Sequence, residues 1–262
     1  MDKTKLLDRF AQDGEERILL SHLLDLCEQC QRRNIPIVSN FLSPQQQESA
    51  KALLAAAGVA EGFVFSGGYQ GAERKKLCFL PDWADGAEEY DNVCLLRAEF
   101  YEAGSLTHRD FLGSLMGMGV AREKIGDLLV REKEADILLD ASVEEFLFQS
   151  WDSAGRSHLQ LRRLEREELI VPEPKIKVIR DTVASLRLDA VVSAGFSISR
   201  GKAAELIAAG RVQQNHKEIQ KSDAPVKEGD VISARGLGKM EVAEVGGLSK
   251  KGRTGVILHR YQ

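Results

Sequence analysis

The residues with the most chemical content lie between positions 187 and 235: Arg187, Ser199, Arg200, Lys202, Arg211, Asn215, Lys217, Lys221 and Arg235. Arginines and lysines interleaved with a hydroxyl and an amide suit the binding of phosphates better than covalent chemistry. The charge distribution agrees. Residues 175–262 hold 16 Lys+Arg against 9 Asp+Glu, a net of +7, whereas residues 1–174 hold 20 against 31, a net of −11. A basic module on an acidic body is drawn to a polyanion end-on, by release of condensed counterions.

Local rules give this module its elements. Leu188, Val191, Val192 and Phe196 make one apolar stripe, which predicts a helix over 187–194. Gly195 is expected to end it in the left-handed C′ position. Ser199 is a good N-cap for a second helix that buries Ala203, Leu206 and Ile207 and stops at Gly210. Val212, a turn at Asn215-His216, and a strand over 231–234 entered through Lys227-Glu228-Gly229-Asp230 complete a hairpin. Arg200 and Lys202 then stand in the first turn of the second helix, where free N–H groups favour anions.

At this point the order Arg187-Leu188-Asp189, Ser199-Arg200, Ala203, Ile207, Gly210, Val212, Asn215, Gly229-Asp230 and Arg235 resembles an RNA-binding domain. It is the S-four domain, named after the fourth protein of the small ribosomal subunit. The resemblance spans 185–240 and implies binding of structured RNA through the two-helix face.

Before this module, residues 1–60 read as a helical region. One helix or a helical pair covers 4–33, and Ser43-Pro44 opens another that runs to Gly58. Two strands, Phe63–Phe65 and Leu77–Leu80, flank a glycine-rich loop and are assigned to the central domain. From 93 onward the pattern reads βαββαβ. Strands are expected at 93–100, 127–131, 135–139 and 159–163, with helices capped by Thr107 and Ser142. The fold class is therefore α+β: a helical region, a ferredoxin-like sandwich of the kind used by RNA-recognition motifs (61–166), a proline-marked linker (167–175), and the S-four domain (176–262). Asp136, Leu138 and Asp140 alternate with Ala135, Ile137 and Leu139, without an aromatic on which a base could stack. The central unit is thus expected to position the molecule or contact protein.

His108-Arg109-Asp110-Phe111-Leu112-Gly113 and the stretch from Gly117 to Asp127, joined to a C-terminal S-four domain, resemble the YlmH-type proteins of bacteria over nearly the whole chain. That resemblance implies a non-enzymatic factor that binds rRNA on the large ribosomal subunit. It further implies a part in rescuing stalled translation, holding peptidyl-tRNA. Arg109, Arg122 and Lys124 are added as a weaker second RNA contact, with a tight helix-to-strand connection as the alternative reading of their loop. The partners expected are structured RNA (rRNA, and tRNA) and the large subunit, with no DNA, no membrane and no cofactor.

Other chemistries find little support. Arg187-Leu188-Asp189 has the look of a pseudouridine-synthase motif, but Asp189 falls inside a helix. Ser199-Arg200-Gly201-Lys202 has Ser-x-x-Lys spacing without the companion motifs. Cys27-x-x-Cys30 lacks the second pair of a structural zinc site, so the four cysteines are expected to be reduced thiols. No metal spacing joins the five histidines. The chain opens on a charged helix rather than a leader and carries no apolar run of membrane length, which points to the cytoplasm. An RNA-modifying enzyme guided by the S-four domain stays as the alternative function, and a division-linked scaffold as a third.

Overall fold

The computed structural model describes residues 3–102, 106–248 and 252–261. They fall into two units, Met1–Pro172 and Glu173–Gln262. No helix among the described residues is long and apolar enough to cross a membrane; Met1 and Asp2 lie outside them.

The first unit opens with α1 (Lys3–Phe10) and α2 (Gly14–Arg33). They are a pair because Asp13 breaks the run: its carboxylate accepts from Glu16 N at 2.8 Å, and Glu16 accepts from Gln12 N at 2.7 Å. Next come β1 (Ile37–Leu42) and α3 (Pro44–Ala56). The Ser43-Pro44 start is as expected, with Gln46 closing a reciprocal capping box on Ser43. The region 1–60 is not purely helical, however. The apolar run behind Pro36 is a strand, and it pairs with β3 (Lys75–Phe79), which also pairs with β2 (Phe63–Ser66), in the order β1-β3-β2. Residues 63–79 therefore complete an N-terminal sheet instead of opening the central sandwich. Helices and sheet close on Leu20, Leu23, Leu53, Leu54, Leu77 and Phe79.

The central part carries β4 (Val93–Glu99), α4 (His108–Gly117), β5 (Ile125–Val130), β6 (Glu134–Asp140), α5 (Glu144–Ser150), a small hairpin β7 (Ser153–Ala154) and β8 (Ser157–His158), and β9 (Gln160–Arg163). All neighbours in the order β5-β6-β4-β9 are antiparallel, the arrangement of a ferredoxin-like sandwich. Ser142 does not cap α5. Asp140 accepts from Ser142 N at 3.1 Å and opens a single 3-10 turn, after which the α-helix begins at Glu144. The helices cover one sheet face through Phe111, Leu115, Leu147 and Trp151, which meet Leu96, Ile137 and Leu139.

The other face is covered as well. Its apolar strip of Leu95, Leu129 and Leu138 packs against Tyr69, Leu164 and Leu169. Gly68 lies so close that a Cβ there would stand 2.7 Å from Leu138 Cδ2, and a Cβ on Gly126 of β5 would stand 2.8 Å from the Phe41 ring. Buried ions fix the cover. Asp136, fully buried, takes paired hydrogen bonds from Arg97 (2.6 and 2.9 Å) and from Arg131 (2.9 and 3.0 Å) and one from Ile170 N (3.1 Å). Residues 167–170, expected in the linker, are thus tied to the sheet. Lys76 of β3, also fully buried, reaches Asp140 of β6 at 2.6 Å and Asn92 O at 2.9 Å. Arg74 donates to Ile125 O at 2.9 Å and to Phe41 O at 3.1 Å, and Asp127 receives Tyr69 Oη at 2.8 Å.

The second unit holds β10 (Ile176–Val183), α6 (Leu188–Phe196), α7 (Arg200–Ala208), β11 (Val212–Gln214), β12 (Lys217–Glu218), β13 (Val231–Ala234), β14 (Gly238–Leu248) and β15 (Thr254–Tyr261). Its sheet runs β10-β15-β14-β13-β11-β12, with β10 and β15 in register from Ile176↔Tyr261 to Val183↔Thr254. The two helices pack on it through Leu188, Val192, Phe196, Leu206, Met240 and Leu258. Gly195 does not end α6. It lies inside the helix, where a Cβ would meet Met240 Sδ at 2.0 Å, and Ser197 at φ 56° takes the left-handed exit. The turn at Asn215-His216 is as expected, both residues having positive φ.

The Lys76–Asp140 pair yields a prediction. Burial alone would raise the Asp140 carboxyl, but hydrogen bonds from Lys76 and Ser142 outweigh it and hold the group at about 2, below its ordinary 3.8. A depressed carboxyl stabilises the fold above its unfolded value and loses that contribution as pH falls through its folded value. Acid unfolding of the first unit should therefore steepen between pH 3.8 and about 2. Lys76→Met, which leaves the buried Asp140 carboxylate with only Ser142 and the part-exposed Lys124 as partners, should cost about 3 kcal/mol in urea unfolding and flatten that acid limb. A loss below about 1 kcal/mol would contradict the anchoring role.

Candidate nucleic-acid interface

The candidate surface is built around one carboxylate. Arg187 occupies the N-cap position of α6, held there because Leu188 N and Asp189 N donate to Ala224 O (2.9 Å) and Ser222 O (3.0 Å). Asp189, in the first turn, is buried at 5 % exposure. It receives Arg187 at 3.3 and 3.4 Å and, from the start of α7, Arg200 at 3.0 and 3.2 Å. Burial would push the Asp189 carboxyl up, but the hydrogen bonds and charges of Arg200 and Arg187 hold it below the ordinary aspartate value. The two guanidinium groups keep 42 % and 51 % of their side-chain surface exposed. One buried acid thus holds two arginines from different helices with donors left over for solvent-side acceptors, since guanidinium carries five N–H donors.

Ser199 fills the role its position suggested. Its Oγ accepts from Lys202 N at 3.2 Å and caps α7. Lys202, one turn into α7, is exposed and pairs with Glu205 at 3.0 Å, an exposed contact worth a few tenths of a kcal/mol and readily exchanged for a phosphate. Arg211 and Arg235 sit beside each other past the far end of α7: Arg235 N donates to Arg211 O at 2.9 Å, and Arg211 Nη2 to Arg235 O at 3.3 Å. Nine helical residues separate the two cation groups by roughly 13 Å along α7. Lys217 and Lys221 are exposed on and after β12. Asn215 is committed to the fold. Its amide donates to Asp230 at 2.8 Å and accepts from Val231 N at 2.9 Å, which locks the hairpin turn.

A shallow cleft of about 500 Å³ adjoins this surface, between β10 and the end of α6, floored by Ala184, Ala190 and Ala194. Arg200 stands at one rim and Arg253 at the other, where Arg253 Nε donates to Thr182 Oγ1 at 2.9 Å. Sequence reading misses Arg253 because it follows strand β14 by a chain reversal that no local motif announces. It also misses the contact of Arg200 with Asp189, which spans eleven residues and exists only once the two helices pack.

Two of the weaker set make contacts within the fold. Arg109 is exposed on α4. Arg122 donates to Ile125 O at 2.7 Å, and Lys124 pairs with Asp140 at 3.3 Å. Their loop serves the helix-to-strand connection and the seam with the N-terminal sheet. The cysteines are free, with Cys27, Cys30 and Cys78 buried. Burial raises Cys27 and Cys30 and pushes Cys78 and Cys94 to about 12, so all four stay protonated at neutral pH. Among the described residues no group of three or more His, Cys, Asp or Glu is placed to hold a metal.

Comparison with known proteins gives this geometry a family. Three family models match consecutive segments: "YlmH, N-terminal" over residues 15–82, "Putative RNA-binding domain in YlmH" over 97–168, and "S4 domain" over 186–232. The Ribosome-associated protein quality control protein P2 of Bacillus subtilis (strain 168) is 30% identical over 247 residues, covering 94% of this chain and 95% of that protein. The solved structure of the cell division protein ylmH from Streptococcus pneumoniae superposes with a TM-score of 0.50 at 18% identity, covering 60% of this chain and 96% of the other, a likeness of fold. With all three segments in order and a relative of that identity along its length, the chain belongs to the YlmH family of proteins that end in an S4 RNA-binding domain.

Proposed function

We propose that the protein is a non-enzymatic, cytoplasmic factor that docks on structured rRNA of the large ribosomal subunit through its S4 domain. Within ribosome-associated quality control it contacts peptidyl-tRNA and helps to keep it in place. The observation that carries this reading is the pair of guanidinium groups held on the buried Asp189, within the C-terminal third of the chain, whose net charge is +7. Two fixed cations at the mouth of α7, with Lys202 one turn away and Arg211 and Arg235 beyond, suit the backbone of a folded RNA, recognised by shape and phosphate position. The −11 body disfavours a second phosphate lattice and orients the molecule basic end first. The name of the Bacillus subtilis relative supports the ribosomal setting. Asp189 is buried beneath Arg187 and Arg200, where a nucleobase has no access to it, which weighs against a pseudouridine-synthase reading of Arg187-Leu188-Asp189.

Replacing Arg200, Lys202 and Arg211 together by alanine should abolish co-sedimentation with ribosomes at physiological salt. The circular dichroism spectrum should stay unchanged, because all three side chains lie at the surface. Removing each phosphate-binding cation should flatten the slope of log affinity against log salt by about 0.9. Retained co-sedimentation would remove the S4 face from the binding reaction.

Asp189→Asn separates positioning from charge. Removing a negative charge beside two arginines should tighten RNA binding if only net charge matters. If the carboxylate fixes the two guanidinium groups, binding to 23S rRNA fragments should weaken roughly tenfold, because the arginines are no longer pre-organised. Thermal unfolding followed alongside excludes a collapsed domain as the cause.

A further inference from the structure

Among the described residues the N-terminal sheet has two edge strands, β1 and β2, and the edge of β2 adjoins a groove. In the order β1-β3-β2, β2 pairs with β3 on one side only. An antiparallel strand directs the N–H and C=O groups of alternate residues outward, so this edge presents a row of backbone donors and acceptors. Val64, at its middle, is 38% exposed. Across from the edge runs the segment 81–92, which holds five acidic residues and no Lys or Arg. The segment is pinned at both ends. Trp83 Nε1 donates to Asn34 O at 3.0 Å, and Asp91, fully buried, accepts from Ser66 Oγ at the end of β2 and from Arg166 Nη1 at 3.0 Å. Between the pins it is anchored by the buried Ala87, and a groove of about 580 Å³ is lined by Val64 and Phe65 of β2 and by Asp85, Glu88 and Glu89 of the segment. Among the described residues, Lys75 is the single Lys or Arg in its lining.

We propose that this groove docks an extended, lysine- and arginine-rich protein segment, which adds to β2 as a further strand. Backbone pairing along the edge supplies the affinity common to strand addition. Apolar side chains of the added strand meet Val64 on one face of the sheet and Phe65 on the other, and its cations meet Asp85, Glu88 and Glu89. Charge decides the occupant. A nucleic acid is repelled by the acidic wall, and a second copy of this chain would bring its own acidic wall against it. The four residues of β2 accept a segment of roughly 13 Å at 3.4 Å per residue. The site lies in the acidic segment 1–174, away in sequence from the S4 cations, so this inference is independent of the RNA-binding reading.

The test uses the full chain and two fluorescent ten-residue peptides, one alternating lysine with valine and one alternating glutamate with valine. Anisotropy should show binding of the lysine peptide and none of the glutamate peptide. Triple reversal of Asp85, Glu88 and Glu89 to lysine should weaken the lysine peptide by about tenfold or more. The same reversal at the exposed Glu28, Glu132 and Asp152 should leave it within about twofold. Hydrogen exchange should slow over residues 63–66 when the peptide is bound. Equal weakening by both triple variants would reduce the interaction to net charge, and unchanged exchange at 63–66 would remove β2 as the docking edge. Absence of lysine-peptide binding, or its displacement by a single-stranded RNA oligonucleotide, would also overturn the proposal. Ribosome co-sedimentation of the Asp85/Glu88/Glu89 variant reads the S4 function separately and should persist.

Discussion

Two buried carboxylates on the second face of the central sheet hold the first unit together. Asp136 is fully buried beneath Arg97 and Arg131, and Asp140 lies beneath Lys76. A buried carboxylate in surroundings of low polarity is tolerable only with partners of this quality, and removing one partner is far costlier than never burying the pair. The constraint propagates. The cations come from the N-terminal sheet, from the β5–β6 turn and from β4, so the sheet face cannot be uncovered without stranding charge. An RNA-recognition motif reads bases on that face. Here the same topology has become a three-layer body with that face closed.

The S4 unit carries the same device turned outward. Asp189 is buried and holds two arginines, as Asp136 does, but these guanidinium groups stay half exposed. In the central unit further donors go to Glu168 O and Ile170 O, whereas the arginine side chains at Asp189 stay 42 % and 51 % exposed. One arrangement closes a sheet, and the other presents a cationic fork. The difference is burial of the arginines, set by whether a further chain segment lies over them.

How far the fold can be seen in the chain itself depends on the range of the interaction. The caps at Ser43, Thr107 and Ser199, the Asn215-His216 turn and the βαββαβ order are local, and residue types at short spacing disclose them. The capping of α5 is ambiguous because Asp140 and Ser142 are both good caps and only the strand end decides between them. The membership of residues 37–42 and 63–79 in one sheet is hidden, since β1 and β3 pair across more than thirty residues and a short apolar run is ambiguous between helix and strand. Gly195 has the look of a helix stop, whereas its lack of a side chain serves Met240, which arrives from another strand. For the site, the set of cations is legible; their grouping on Asp189, and the commitment of Asn215 and Arg122 to the fold, emerge only after packing.

The central claim is that RNA meets the S4 helices and the closed sheet meets none. Ultraviolet crosslinking of the full chain to ribosomes, followed by mass spectrometry of the crosslinked peptides, tests it directly. The account predicts crosslinks in peptides between Arg187 and Arg235 and none in the strands Val93–Glu99 and Glu134–Asp140. Crosslinks concentrated on those two strands, with the S4 helices silent, would contradict it.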